Sequence, residues 1–262
     1  MYKDRWALVT GASAGIGEAY ANALMEKGAN LILVARREDR LKALAESVEA
    51  KGQRALIVPT DLSDPGAPET IMAQVNAAGV PVDILVNNAG YGLPGTYSET
   101  TWKDQQDFIQ VMVTAYAQLT HLALGPMRER GWGRIINVAS LAGLIPAGAN
   151  YTLYGASKAF VIAMTQSVAA ECRGTDIKAS ACCPGFTYSE FHDVTETREV
   201  VNKLPKYAFM EAGPVAELSL RAVEKGHTTY VPGGFNKFIA ALLRLLPLSI
   251  AERLVDRHSG WK

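Results

Sequence analysis

The stretch "YTLYGASK" (151–158) holds the residue types that could move a proton. Tyr154 and Lys158 stand four apart, a spacing that places both on one face of a helix. A phenol with an ordinary pKa of about 10 is a poor base near neutral pH. An ammonium group one turn away would favour the phenolate. Tyr151 has Gly155 at its own i+4 position and gains no such partner, so lining a pocket suits it better. Tyr-x-x-x-Lys also arises by chance in many helices. The pair therefore carries meaning only if the rest of the chain places it beside a substrate.

A second stretch suited to chemistry is "TGASAGIG" (10–17). It follows an apolar run and leads into a helical pattern. Its glycines, Gly11, Gly15 and Gly17, let backbone N–H groups approach a pyrophosphate at a helix N-terminus, where the helix dipole favours an anion. The spacing G-x-x-x-G-x-G differs from the commoner G-x-G-x-x-G fingerprint. The second apolar run ends at Ala35, followed by Arg36 and Arg37. An acid near this point would hold the ribose 2′-hydroxyl of NAD, whereas arginine accommodates the 2′-phosphate of NADP. Two cations at a helix start oppose its dipole and are easier to explain beside an anion. NADP(H) is the cofactor favoured.

The elements that must position these residues follow from periodicity. Seven short apolar runs, at 6–10, 31–35, 55–59, 83–87, 134–138, 177–183 and 229–232, alternate with longer helical patterns such as 101–130. Asp64-Pro65 and Gly213-Pro214 mark helix starts. Continuous apolar strands alternating with helices predict a parallel sheet covered on both faces. No repeat, linker or composition break divides the 262 residues, so one doubly wound α/β domain with seven strands is expected.

In this order and at these spacings, the motifs resemble the short-chain dehydrogenase/reductase family, in its NADP-preferring type, over most of the chain. "TGASAGIG" is similar to the family's cofactor loop, and "NNAG" (87–90) to its motif after the fourth strand. Ser140, Tyr154 and Lys158 are similar to its catalytic serine and Tyr-x-x-x-Lys. Pro184-Gly185, with Thr187 and Ser189, is similar to its nicotinamide-side loop. The resemblance implies a Rossmann fold and NADP(H) held by Gly11, Ser13, Gly15, Ile16, Gly17, Arg36, Arg37, Leu62, Asn88, Ala89, Gly90, Tyr154, Lys158, Pro184, Gly185 and Thr187. Asp61 has two readings, an adenine contact as the resemblance implies or an ordinary loop or helix-capping aspartate. Tyr154 would act as general acid toward a carbonyl oxygen, and as base in reverse. Lys158 would lower the tyrosine pKa and hold the nicotinamide ribose, and Ser140 would hydrogen-bond the reacting oxygen.

The chain departs from the family twice. From Ser140 to Tyr154 is one residue longer than the family spacing. Aligning "LTHLALGPM" (119–127) puts Met112 where the family has a catalytic asparagine. Methionine supplies no amide, and Thr114, roughly 200° around the helix, is a poor stand-in. The backbone carbonyl, which the family's proton relay uses through a water, is retained.

Other classes find little support. With 26 basic and 26 acidic residues the chain has no electrostatic footprint for nucleic acid. The N-terminal residues lack a signal-peptide pattern, and Cys172, Cys182 and Cys183 form neither a metal spacing nor a disulfide framework, so buried thiols and a cytoplasmic location are expected. His121, His192, His227 and His258 are scattered and predict no metal site. Ser140 lacks the G-x-S-x-G elbow of a hydrolase. Residues 186–210 match the family's substrate lid, and Phe186, Phe191, Leu144 and Tyr91 would give the pocket apolar walls. In the tail, 235–262, Arg244 and Pro247 break the apolar run, and Phe238, Leu242, Leu245 and Leu246 form a stripe. A lid or subunit contact is favoured there over a membrane-surface helix. Apolar residues on several faces of 101–130 and of the helix from Tyr154, among them Phe108, Val111, Tyr116, Phe160, Met164 and Val168, exceed what one sheet face can cover, and the resemblance implies that these helices pair across a two-fold axis in a homodimer or homotetramer. The expected activity is NADPH-dependent reduction of a hydrophobic ketone, aldehyde or 3-oxoacyl group to the alcohol. The rival is an NADP(H)-binding sensor or scaffold with little turnover, which Met112 alone supports.

Overall fold

A computed structural model describes residues 2–147, 152–188, 190 and 206–258. Nine strands are present among them: β1 (Trp6–Thr10), β2 (Asn30–Ala35), β3 (Ala55–Pro59), β4 (Ile84–Asn87), β5 (Gly133–Val138), β6 (Ile177–Cys182), β7 (Thr187–Tyr188), β8 (Met210–Glu211) and β9 (Thr229–Tyr230). Each of the seven apolar runs is a strand of one parallel sheet, in the order β3-β2-β1-β4-β5-β6-β9. The strand order reverses between β1 and β4, and the crevice beyond their carboxyl ends is where such sheets bind dinucleotides. The pair β7–β8, which the sequence pattern does not announce, forms a separate two-stranded sheet.

Alternate residues feed two cores. Ala7, Val9, Leu31 and Leu33 pack under Tyr20, Leu24 and Leu41, together with Val215, Leu220 and Val223. Leu8, Ile32 and Val34 face the opposite way, toward Ile71, Val75, Phe108, Leu119 and Met127. The helices that supply these layers are α1 (Gly15–Glu26), α2 (Glu38–Ala50), α3 (Ala67–Ala77), α4 (Trp102–Ile109), α5 (Ala115–Arg130), α6 (Tyr154–Glu171) and α7 (Ala212–Glu224). Each fully buried aliphatic side chain contributes about 1.5–3 kcal/mol relative to exposure. The two-sided burial explains why the strands read as unbroken apolar runs. All three cysteines are free and buried.

The helix expected over 101–130 is not continuous. Thr101 caps its start in a reciprocal box with Asp104. A π segment, Gln110–Thr114, then separates α4 from α5, with the Ala115 N–H donating to Gln110 O. Met112 lies inside that segment. Gly213-Pro214 falls within the first turn of α7 rather than before it, since the helix starts at Ala212. The tail forms α8 (Gly234–Leu245) and α9 (Leu248–His258), broken around Pro247. Among the described residues no helix is long and apolar enough to cross a membrane. The stripe faces outward, with Phe238 63% and Leu245 84% exposed. Three of the residues expected on a subunit face, Phe108, Val111 and Tyr116, are instead consumed by the chain's own cores, whereas Phe160 is 42% exposed.

Candidate active site

Ser140 stands two residues past the end of β5, and its Oγ accepts from the Ala142 N–H at 3.2 Å, which starts a single 3-10 turn over Leu141–Gly143. That turn rests on the backbone of α6. A Cβ at Gly143 would lie 2.6 Å from the Lys158 carbonyl carbon, so only glycine lets the serine turn dock at this depth. Tyr154 opens α6, half-buried against the cluster that holds Met112. Lys158, one turn later, is 4% exposed, and its Nζ donates to Val138 O at 2.9 Å. The ammonium lies 5.8 Å from the Tyr154 ring centre and 5.2 Å from that of Tyr116. Burial pushes the Lys158 pKa down to about 7, against a small upward pull from Cys183. Among the described residues its three protons meet one acceptor, so two could serve a ligand's hydroxyl groups. The structure brings Ser140, Tyr154 and Lys158 to one end of β5 and α6.

Tyr116 is a supporting residue that sequence reasoning assigned elsewhere. Its hydroxyl donates to Ala89 O at 3.0 Å and lies 3.4 Å from Val138 O, the carbonyl that Lys158 also uses. Burial pushes its pKa up, which keeps it a neutral donor. Beneath it runs a buried amide ladder. Asn87 and Asn137 are register partners in β4 and β5. The Asn87 amide donates to Asn137 Oδ1 at 2.9 Å and to Thr120 Oγ1 at 3.2 Å, and Asn137 donates to Thr165 Oγ1 at 2.9 Å. The ladder ties α5 and α6 to the sheet. The signal was an asparagine at the carboxyl end of two adjacent apolar runs. Met112 is fully buried, and a Cβ at Gly90 would lie 2.8 Å from its Sδ. The methionine thus packs onto the "NNAG" loop.

At the cofactor end, Thr10 Oγ1 accepts from the N–H groups of Asn88 (2.9 Å) and Ala89 (3.0 Å), while the Asn88 amide donates to Thr10 O at 3.0 Å. Asn88 therefore pins β4 to β1 at the crevice. Gly11 and Gly15 adopt φ of +67° and +57°, which turns the loop into α1. The N-cap of α1, Ala14, supplies no side-chain acceptor, so the first-turn N–H groups suit a pyrophosphate. Gly17 is buried against this turn, and Ile16 packs partly into the core. The two arginines diverge. Arg36 faces Asp61 at 3.9 Å, and Asp61 Oδ1 accepts from the Ser63 N–H at 3.0 Å, as a loop-capping aspartate does. Arg37 donates from Nη2 and Nε to Ser13 Oγ at 3.1 and 3.3 Å. Arg40, unremarked in the sequence because it looks like an ordinary solvated helix residue, joins them 3.4 Å from Ser13 O. Leu62 turns its side chain into the core and offers a ligand only its backbone.

In the loop after β6, Pro184 O accepts from the Leu141 N–H at 2.8 Å, which links that loop to the serine turn. Thr187 is buried, and its hydroxyl donates to Gly185 O at 3.1 Å. Gly185 abuts the side-chain amide of Asn236 with no room for a Cβ. Phe209 stacks on Tyr188 at 4.8 Å and meets Phe186 at 5.7 Å, and Tyr207 meets Phe235 edge-on at 5.2 Å. Tyr91 packs edge-on against Phe108, and Leu144 joins a small cluster with Val161 and Ile162. Tyr151, Ser189, Phe191, His192 and most of the expected lid lie outside the described residues. Among the described residues no three metal-binding side chains converge.

A crevice at the strand-order reversal, a glycine loop opening α1, and a tyrosine and buried lysine one turn apart define a nicotinamide-dependent oxidoreductase site. The family described as short chain dehydrogenase matches residues 5–199, and the chain belongs to the short-chain dehydrogenase/reductase family. It is 33% identical over 256 residues to a ketoacyl reductase, HetN, of Nostoc sp., covering 97% of this chain and 88% of that one. It is 32% identical over 183 residues to a 7β-hydroxysteroid dehydrogenase of Collinsella aerofaciens, covering 70% and 68%. A solved 7β-hydroxysteroid dehydrogenase superposes with a TM-score of 0.84 at 26% identity, over 97% of both chains. Solved members of the family hold NAD in some cases and NADP(H) in others.

Proposed function

We propose that the protein uses NADPH to reduce bulky apolar carbonyl compounds, with Ser140, Tyr154 and Lys158 as its catalytic residues. The observation that carries this reading is Lys158, buried one turn from Tyr154 with ammonium protons to spare. A buried lysine with no carboxylate partner among the described residues is costly, and a site that closes around ribose hydroxyl groups explains its retention. Bound, the cofactor supplies the hydride. The chain supplies the rest. Ser140 hydrogen-bonds the substrate oxygen and stabilises charge developing there. Tyr154 delivers the proton from its phenol to that oxygen. Lys158 holds the cofactor ribose and keeps positive charge beside the phenolate left behind. The anion seat at Ser13 and Arg37 favours a 2′-phosphate and hence NADPH. The aromatic group of Phe186, Tyr188, Phe209, Tyr207 and Phe235 suits an apolar substrate body.

The test is NADPH oxidation across lipophilic ketones, aldehydes, 3-oxoacyl thioesters and small charged keto acids. The highest kcat/KM is expected on a lipophilic member, and a preference for charged keto acids would overturn the pocket assignment. NADPH binding with no turnover on any compound would favour the sensor reading that Met112 supports. Assembly is proposed to be homo-oligomeric, and a monomer mass by light scattering at micromolar concentration would contradict it.

A further inference from the structure

The seat for the 2′-phosphate already contains a carboxylate. Glu190 places Oε2 2.9 Å from Arg37 Nη1 and Oε1 2.7 Å from Arg40 Nη1. Each carboxylate oxygen takes one guanidinium, the same forked arrangement that a phosphate uses. Both arginines also reach Ser13: Arg37 through Oγ and the carbonyl, Arg40 through the carbonyl. The arginines hold the Glu190 carboxyl below its ordinary range, Arg40 contributing most, so it stays ionised and keeps its grip. Arg36 takes no part because it faces Asp61.

We propose that Glu190 is a specificity-determining residue of the cofactor site, whose carboxylate competes with the NADPH 2′-phosphate for the Arg37–Arg40 pair and narrows the preference over NADH. The inference rests on the NADPH reading of that seat. A phosphate monoester carries roughly −1.5 to −2 charge near neutral pH. Against two guanidinium groups it is matched when Glu190 leaves, and over-neutralised when Glu190 stays. NADH presents a neutral 2′-hydroxyl there, which can leave the carboxylate on both arginines. Binding NADPH therefore costs two ion pairs that binding NADH keeps. All three side chains are between 42% and 46% exposed, so each pair is weak and the cost modest.

The experiment measures dissociation constants of NADPH, NADH and 2′,5′-ADP by titration calorimetry for the native protein, Glu190→Gln, and Arg37→Ala/Arg40→Ala. The glutamine keeps the size of an exposed residue and removes only its charge. Glu190→Gln should bind NADPH and 2′,5′-ADP about three- to tenfold more tightly, equivalent to roughly 0.7–1.4 kcal/mol. Its NADH constant should stay within about twofold. Unchanged or weaker NADPH binding in Glu190→Gln, with NADPH affinity still lost in the arginine variant, would overturn the role of Glu190 alone. Undiminished NADPH affinity in the arginine variant would overturn the phosphate seat itself and the inference with it.

Discussion

Lys158 makes a prediction that needs neither substrate nor cofactor. In the unfolded chain its pKa is near 10.5, and in the folded protein burial lowers it to about 7. Between these values the unfolded chain binds more protons than the native one, so native stability rises with pH across that window. Below about pH 7 the folded protein holds a charged, buried ammonium at its greatest cost. Integrating the two titrations gives a gain of about 2–3 kcal/mol between roughly pH 6 and pH 9 from this one group. Lys158→Met keeps most of the volume and removes the titration. Urea unfolding of both proteins across that range should show the variant's relative stability falling by that amount as pH rises. The lost hydrogen bond to Val138 O shifts the whole variant curve but not its slope. Parallel curves would refute the reasoning, because the lysine would then keep its ordinary pKa inside the fold. Acceptors on a bound cofactor should restore the charge, so NADPH binding near pH 8 should take up protons, seen as a dependence of calorimetric heat on buffer.

Tyr154→Phe should abolish carbonyl reduction, while the NADPH dissociation constant measured by calorimetry stays within about threefold, since the phenol and not the phosphate seat is lost. Met112→Asn should raise kcat by at most about 10–100-fold, or roughly 1.4–2.7 kcal/mol of barrier. It should also lower stability in urea by about 1–3 kcal/mol, because position 112 is sealed among Phe108, Ala115 and Ala89. Gly90→Ala should destabilise by about 1–3 kcal/mol through its contact with Met112 Sδ. Met112→Ala should relieve most of that penalty in a double-mutant cycle, and additive losses would show that the methionine is not the obstacle.

The strands were legible because a sheet buried on both faces demands unbroken apolar runs, and each of the seven was present. The motif residues were legible because glycines, a tyrosine and a lysine sat where strand ends meet helix starts. What stayed hidden depends on register and direction rather than composition. A π segment uses the same residues as an α-helix, so "QVMVT" read as uninterrupted helix. Tyr116 looked like part of a subunit face because its periodicity cannot say that its hydroxyl reaches Ala89 O and the Lys158 acceptor. Arg40 and Glu190 are separated by 150 positions and meet only through the fold. Asn87 and Asn137 each resemble a strand-end polar residue, and their ladder exists because β4 and β5 pair in register.

The contact between Gly185 and Asn236 has a consequence for protein engineering. The amide sits on the glycine without space for a methyl group, and it is anchored in turn by Pro232 O at 2.9 Å. The first turn of α8 is therefore part of the wall behind the loop that follows β6. The outward stripe lies further along that helix. A chimera that exchanges C-terminal segments between relatives should place its crossover after position 236. A join upstream of 232 would import a foreign side chain against Gly185 and shift that loop, whereas a join beyond 236 would alter the tail and spare it.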